Sequence, residues 1–312
     1  MKVSIIGGAG RVGSDAAYAL QFGGVVTEIV INDMNEEGAR GEALDLRHGS
    51  AFTCPQKIIA GGYDAVAGSD CVVITAGLRR KPDESRLELI NRNVKLFTEI
   101  LKSVKNTDLP EGAVILVVSN PVDILTHMAV RDSGLPQDRV FGLGTVLDTC
   151  RFRSLLADRF GVAATDVNAL ILGEHGDSMV PIWSSATVNG MSIASLPGFS
   201  QQTADEIFQA TKTSGAEVIR QKGGAGRAVG VAIREVVEAI ALDSHKMLPV
   251  SSCQRGAMGI NDVCLSLPTL VGRDGVHQVI EPQVSDGERE ALLHSASALK
   301  EVWDKVAAAT AH

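Results

Sequence analysis

Three groups of residues in this chain have types and spacing suited to chemistry. The first surrounds a histidine. In "LGEHGDSMVP", His175 follows an apolar run and has glycines around it, which leaves the imidazole accessible. An imidazole titrates near neutrality, so it can give a proton to a ketone oxygen or take one from an alcohol. It then needs a carboxylate on its other ring nitrogen. "TVLDTCRFRSLL" offers Asp148 and Arg151 at i, i+3, on one face of a helix. One of the two could hold the imidazole while the other grips a carboxylate in a bidentate fork. On spacing alone, a surface ion pair is the commoner explanation. His48, His127, His245, His277, His294 and His312 have no comparable setting.

The second group is a glycine-rich turn. "KVSIIGGAGRVGSDAAYAL" places Gly7, Gly8, Gly10 and Gly13 between a strand and a helix, and Asp33 ends the next strand, twenty residues past Gly13. Glycines let the backbone approach a pyrophosphate, and the helix N-terminus offers free N–H groups and a positive dipole end. A carboxylate at Asp33 accepts hydrogen bonds from a ribose 2′-hydroxyl and repels a 2′-phosphate. The reading is NAD and not NADP. A ligand-free tight turn is the plainer alternative, and the strand–turn–helix–acid context weighs against it.

The third group is "AGLRRKPDESR", where Arg79, Arg80, Lys81 and Arg86 crowd a proline and two acids just after the apolar run "DCVVIT". It reads either as a solvated loop or as a lid that closes over an anion.

The elements that must position these residues alternate through the first half of the chain. "KVSII", "TEIVIND", "DCVVITAG" and "AVILVVSNP" read as strands; 11–22, 36–47 and 86–105 read as helices. Strands apolar on both faces, separated by helices, predict a parallel sheet covered on both sides. Beyond a boundary near Gly142-Leu143-Gly144 the pattern changes. Helices are expected over about 145–160, 201–221, 226–243 and 285–309. Strands are expected in "DVNALILGEHGDSMVPIWSSATVNG", "MLPVSS", "DVCLSLPTLVG" and "GVHQVI". The expected division is 1–143 and 144–312.

Composition narrows the function classes. The chain has 312 residues and a net charge of −8, the wrong balance for a protein that grips nucleic acid without sequence preference. No apolar run is long enough to span a membrane. The five cysteines have no metal-ligand spacing, so no metal is expected. Reduced thiols and the absence of a leader pattern point to the cytoplasm.

Taken together, these pieces resemble the lactate/malate dehydrogenase family along the whole chain. The matching stretches are "GGAGRVG", "TAG" (75–77), "ESRLELINRN" (84–93), "SNPVD" (119–123), "LDTCRFR" (147–153) and "GEHGDSMVP" (173–181). The resemblance implies an α/β fold, a Rossmann-type doubly wound sheet followed by an α+β catalytic domain. It implies that His175 is the proton donor and acceptor, that Asp148 orients it, and that Arg151 binds the substrate carboxylate. It also implies that Arg86 polarises the carbonyl and that Asn120 contacts substrate oxygen and the nicotinamide side. Cofactor contacts are implied at Gly7, Gly8, Gly10, Arg11, Val12, Gly13, Asp33, Thr75, Ala76, Gly77, Asn93, Val118 and Asn120. A homo-oligomer is implied, a tetramer over a dimer.

Substrate choice is read from the basic loop. Six residues before the loop's catalytic arginine, the family's lactate enzymes typically carry glutamine and its malate enzymes arginine; this chain has Arg80. Closed over pyruvate, Arg80 would face a methyl group unpaired, a cost of roughly 3–5 kcal/mol. Against a second carboxylate it would be satisfied. "KGGAG" puts Ala225 where the lactate enzymes usually have threonine, which agrees, whereas Glu84 and Glu174 lean toward the lactate branch. The expectation is therefore an NAD-dependent malate dehydrogenase of the tricarboxylic acid cycle, interconverting malate and oxaloacetate. The alternative is an L-lactate dehydrogenase or a broader 2-hydroxyacid dehydrogenase. An NAD-dependent glycosidase would need a Cys/His metal pair that is not seen.

Overall fold

The computed structural model describes residues 1–78 and 86–310; at 86, 87, 309 and 310 it describes the backbone alone. Arg79, Arg80 and Lys81 lie outside the described residues, and so does the side chain of Arg86. The first half runs β1 (Lys2–Ile6), α1 (Arg11–Gly23), β2 (Glu28–Asn32), α2 (Glu36–His48), β3 (Lys57–Ala60), α3 (Tyr63–Val66), β4 (Cys71–Ile74), α4 (Arg86–Lys105), β5 (Val114–Val117), α5 (Val122–Asp132) and β6 (Val140–Gly142). The second half runs α6 (Val146–Phe160), β7 (Val167–Leu172), β8 (Val180–Val188), β9 (Met191–Ser192), α7 (Gln201–Lys222), α8 (Arg227–Ala241), β10 (Lys246–Leu248), β11 (Ser251–Arg255), β12 (Asn261–Ser266), β13 (Thr269–Gly272), β14 (Gly275–Val279) and α9 (Asp286–Thr310).

The main sheet has the order β12-β11-β6-β5-β4-β1-β2-β3, and β6 through β3 are all parallel. Strand side chains alternate between two cores, as the pleat requires. Val3, Ile5, Cys71, Val73, Val114 and Leu116 meet α1, α2 and α8 on one face. Ile6, Val72, Ile74, Ile115 and Val117 meet α4, α5 and α9 on the other. Strand order reverses between β1 and β4, and in such sheets the crevice beyond that point is where a dinucleotide fits.

The second half does not merely follow this sheet. Its β11 pairs antiparallel with β6 at Ser251–Gly142, and β12 extends the edge. Its α8 lies against α1, so close that a Cβ on Gly230 would be 2.5 Å from the Asp15 carbonyl oxygen. A separate core built on Phe152, Ile171, Ile193 and Ile207 joins α6 and α7 to the β7-β8-β9 sheet. The short elements β3, α3 and β6, and the helix α5, are absent from the sequence reading. No described helix is long and apolar enough to cross a membrane.

Candidate active site

The glycine-rich turn joins β1 to α1. Gly7 has φ +86°, and a Cβ there would meet the Ala76 backbone nitrogen at 2.6 Å. A Cβ on Gly13 would lie 2.4 Å from the Gly7 carbonyl oxygen. The turn thus closes on itself and on the end of β4 only because these side chains are missing. No side chain caps α1, so its first-turn N–H groups remain available to an anion. Asp33, just past β2, is held by the backbone: Oδ2 accepts the Ala9 N–H at 3.1 Å and Oδ1 accepts the Asn35 N–H at 2.9 Å. Each oxygen keeps a lone pair for a hydroxyl. These residues form a cradle that fits a dinucleotide.

The neighbouring residues divide into floor and anchors. Thr75 Oγ1 donates to the Ile6 and Gly7 carbonyls at 3.0 and 3.2 Å. Thr75, Ala76 and Gly77 follow β4, and Val118 follows β5, its N–H on the Ile74 carbonyl at 2.9 Å. Asn120 is exposed, its Oδ1 accepting the Val122 N–H at 3.3 Å. The buried Asn93 turns its amide to Leu78, accepting the Leu78 N–H at 2.7 Å and donating to its carbonyl at 3.4 Å. It therefore fixes Leu78. Val12 is half-buried in the turn. The Arg11 side chain reaches across to the second half, where Nη1 donates to the Lys222 and Gly224 carbonyls at 2.8 Å each. That contact holds the α7–α8 connection that carries Ala225.

His175 comes from a different construction. Beyond β7, Gly173 takes φ +83°, and Glu174 accepts from the Ser178 N–H at 3.1 Å. The loop presents an imidazole that is 24 % exposed, with Nδ1 2.5 Å from Asp148 Oδ2. The other Asp148 oxygen accepts from Arg151 Nη1 at 2.8 Å. Asp148 therefore serves both neighbours, where the spacing argument had left it open which of the pair would hold the ring. Asp148 is 1 % exposed. Burial pushes its carboxyl upward, but the charge and hydrogen bond of His175, joined by those of Arg151, outweigh this and hold it below the usual range. Burial depresses His175, yet Asp148, with help from Asp123, outweighs burial and Arg151 and raises it. Nδ1 is the ring nitrogen taken by Asp148, which leaves Nε2 for any other partner. Gly215 of α7 lies beside the guanidinium: a Cβ there would be in ordinary contact, 3.6 Å from Arg151 Nη2.

Two participants escaped the sequence reading, Asp123 and Ser251. Asp123 lies on α5, whose Val122, Leu125, Met128 and Ala129 carry the helical period that would have revealed it. Nothing local marks Ser251. Among the described residues, no group of three His, Cys, Asp or Glu side chains is arranged to hold a metal ion.

Comparison with known proteins places this geometry. Residues 1–142 match the lactate/malate dehydrogenase NAD binding domain, and residues 145–310 match the lactate/malate dehydrogenase alpha/beta C-terminal domain. L-lactate dehydrogenase 1 of Clostridium acetobutylicum is 43 % identical over 310 residues, covering 98 % of both chains. An L-lactate dehydrogenase of a Synechococcus strain is 41 % identical, covering 98 % of this chain and 99 % of its own. The structure of a minor L-lactate dehydrogenase from Enterococcus mundtii superposes with a TM-score of 0.94 at 36 % identity, covering 98 % of each chain.

These relatives overturn the expected malate dehydrogenase and its place in the tricarboxylic acid cycle: full-length similarity leads to L-lactate dehydrogenases. The malate reading rested chiefly on Arg80, with Ala225 in support. An arginine carries its charge at the end of a flexible stem and can keep it in water. Its presence in a loop therefore does not establish the buried, unpaired charge on which the exclusion of pyruvate depended.

Proposed function

We propose that this chain, which belongs to the lactate/malate dehydrogenase family and uses NAD, is an L-lactate dehydrogenase that interconverts L-lactate and pyruvate. Asp148 carries the reading: one buried carboxylate holds an accessible imidazole and an arginine together, which suits a 2-oxoacid with a ketone beside a carboxylate. Bound NADH supplies the hydride that reduces the carbonyl carbon. His175 delivers the proton from Nε2 to the ketone oxygen, and Asp148 stabilises the imidazole in its charged form beforehand. Arg151 grips the substrate carboxylate with guanidinium N–H groups other than the one on Asp148. Arg86 and Asn120 are assigned to the substrate oxygen by resemblance.

For the cofactor, the backbone of Gly7, Gly8, Gly10, Arg11, Val12 and Gly13 would cradle the pyrophosphate and Asp33 would take the ribose. Thr75, Ala76, Gly77, Val118 and Asn120 would line the nicotinamide side, with Asn93 holding the adjoining loop. Residues 1–143 are assigned to the cofactor and 144–312 to the substrate. We also assign a homo-oligomer, a tetramer over a dimer. Tyr18 and Phe22 on α1 and Val231 on α8 are more than half exposed on neighbouring helices, an apolar surface suited to a second copy. Five free cysteines favour the cytoplasm. The test is NADH oxidation with pyruvate and with oxaloacetate at equal concentration. Pyruvate should be the better substrate, and a higher kcat/KM for oxaloacetate would overturn the assignment.

A further inference from the structure

A second buried carboxylate adjoins His175. Asp123 lies in the first turn of α5 and is 3 % exposed. Its Oδ2 accepts the backbone N–H of His175 at 2.8 Å, and its Oδ1 accepts the Ser251 hydroxyl at 2.6 Å. Ser251 opens β11 and is fully buried. The paired strand β12 grips the same loop two residues earlier, where Gly173 and Ser266 exchange backbone hydrogen bonds of 2.9 and 3.0 Å. Asp148 thus fixes the ring of His175, whereas Asp123 fixes its backbone.

We propose that Asp123 is a positioning residue: anchored by Ser251, its carboxylate pins the main chain of His175 and places a second negative charge near the imidazole. The proposal rests on His175 being the proton donor. A buried carboxylate is a costly way to hold one amide and one hydroxyl, since a neutral amide side chain could pair with both. What the charge adds is electrostatic support for the imidazolium that must exist before proton delivery. Among the described residues, the charged groups facing His175 are Asp148 and Arg151 on α6 and Asp123 on α5. Those acting on Asp123 are His175 and Glu174 on the presenting loop, while Cys264 on β12 feels its charge. Burial pushes the Asp123 carboxyl up to about 6, against the Ser251 hydroxyl and the His175 amide. It is therefore charged at neutral pH, and its charge acts in the same direction on His175 as that of Asp148.

Asp123→Asn separates charge from geometry. It keeps the size of the side chain and an oxygen for the His175 N–H, and it removes the negative charge. Carbethoxylation of His175 by diethyl pyrocarbonate, located by peptide mass spectrometry, follows the neutral imidazole against pH and needs no substrate. The pH profile of kcat/KM for pyruvate follows the same group during turnover. Both midpoints should fall by roughly half to one pH unit in Asp123→Asn, while NADH affinity is unchanged. An unmoved modification midpoint, with activity intact or lowered evenly at all pH, would overturn the proposal and leave Asp123 a packing residue. If the wild type reduces no 2-oxoacid yet the modification midpoint moves, the positioning role stands and the dehydrogenase reading falls. If Asp123→Asn does not fold, Ser251→Ala carries the test. Loss of the hydroxyl raises Asp123 and weakens its charge, so the midpoint should move the same way by less. A fixed midpoint in folded Ser251→Ala would likewise refute the role.

Discussion

A run of consecutive residues makes the turn from Gly7 to Gly13, and what matters in it is mostly the absence of side chains. The centre around His175 is made the other way. Its parts come from α5, α6, the loop after β7 and the start of β11, and every contact involves a placed side chain. The turn offers a ligand its backbone N–H groups, which any sequence supplies once the glycines permit the path. The centre works through two buried carboxylates whose environments oppose each other. Asp148 is held below its usual range by His175 and Arg151, against burial, whereas burial drives Asp123 up to about 6. A backbone site tolerates conservative change outside its glycines; a side-chain site fails one atom at a time.

Substitutions that separate binding from chemistry sharpen this contrast. The largest effect is expected at the centre. His175→Asn should bind NADH normally, by fluorescence titration, but lose turnover by roughly 10²–10⁴-fold because asparagine delivers no proton. A variant keeping most of its kcat would remove His175 from the role. Arg151→Lys comes next. An ammonium cannot reproduce the fork on a planar carboxylate, and losing a charge-assisted hydrogen bond of ~1.5–3 kcal/mol should lower kcat/KM for pyruvate about 10- to 100-fold. A change below twofold would mean the carboxylate is held elsewhere.

At the turn the expected pattern reverses. Gly13→Ala forces a methyl group to within 2.4 Å of the Gly7 carbonyl oxygen, so NADH affinity should weaken. Overpacking of ~1–3 kcal/mol corresponds to about 5- to 100-fold in Kd, and the pH dependence of whatever turnover remains should be unaltered. A shifted pH profile would show that the two regions are coupled, with the Arg11 contact to the Lys222 and Gly224 carbonyls as the first place to look.

The smallest effects are on stability, and they separate the two aspartates. Because the folded pKa of Asp148 is depressed, its contribution is present above the unfolded value and is lost as pH falls through the folded one. Asp148→Asn should therefore lower Tm at pH 7. For Asp123 the folded value is raised to about 6, so the charged form costs stability above that pH. Asp123→Asn should raise Tm at pH 7 by about 1–4 °C and lose this advantage near pH 4. His175, raised in the fold, contributes stability that is complete below its unfolded value and is lost as pH rises through the folded one. Thermal unfolding of the three variants across pH 4–9 checks all three signs.

The dinucleotide half was legible in the residues because its information is local. An apolar strand, glycines at fixed offsets, a helix and an acid after the next strand belong to one βαβ unit, and the observed β1–α1–β2 with Asp33 follows that order. The helix at 145–160 and the i, i+3 pairing of Asp148 with Arg151 were legible for the same reason: helical spacing is a property of neighbours. That Asp148 would engage His175 and Arg151 at once was not, because its partner lies 27 positions away across a helix-to-strand connection. Nor could any period in the chain reveal that β11 returns to pair with β6, since strand partners distant in sequence are chosen by packing. That return carries Ser251 to Asp123 and Ser266 to Gly173, and so anchors the loop that presents His175 at two points, Gly173 and His175 itself. Substrate preference was misjudged from one long side chain, Arg80, because a charge on a flexible stem does not declare its own environment. The residue types and their short-range spacing determined the cofactor and the candidate residues; tertiary structure alone decided which carboxylate meets which face of the histidine, because burial and electrostatics act through space and the chain specifies only order.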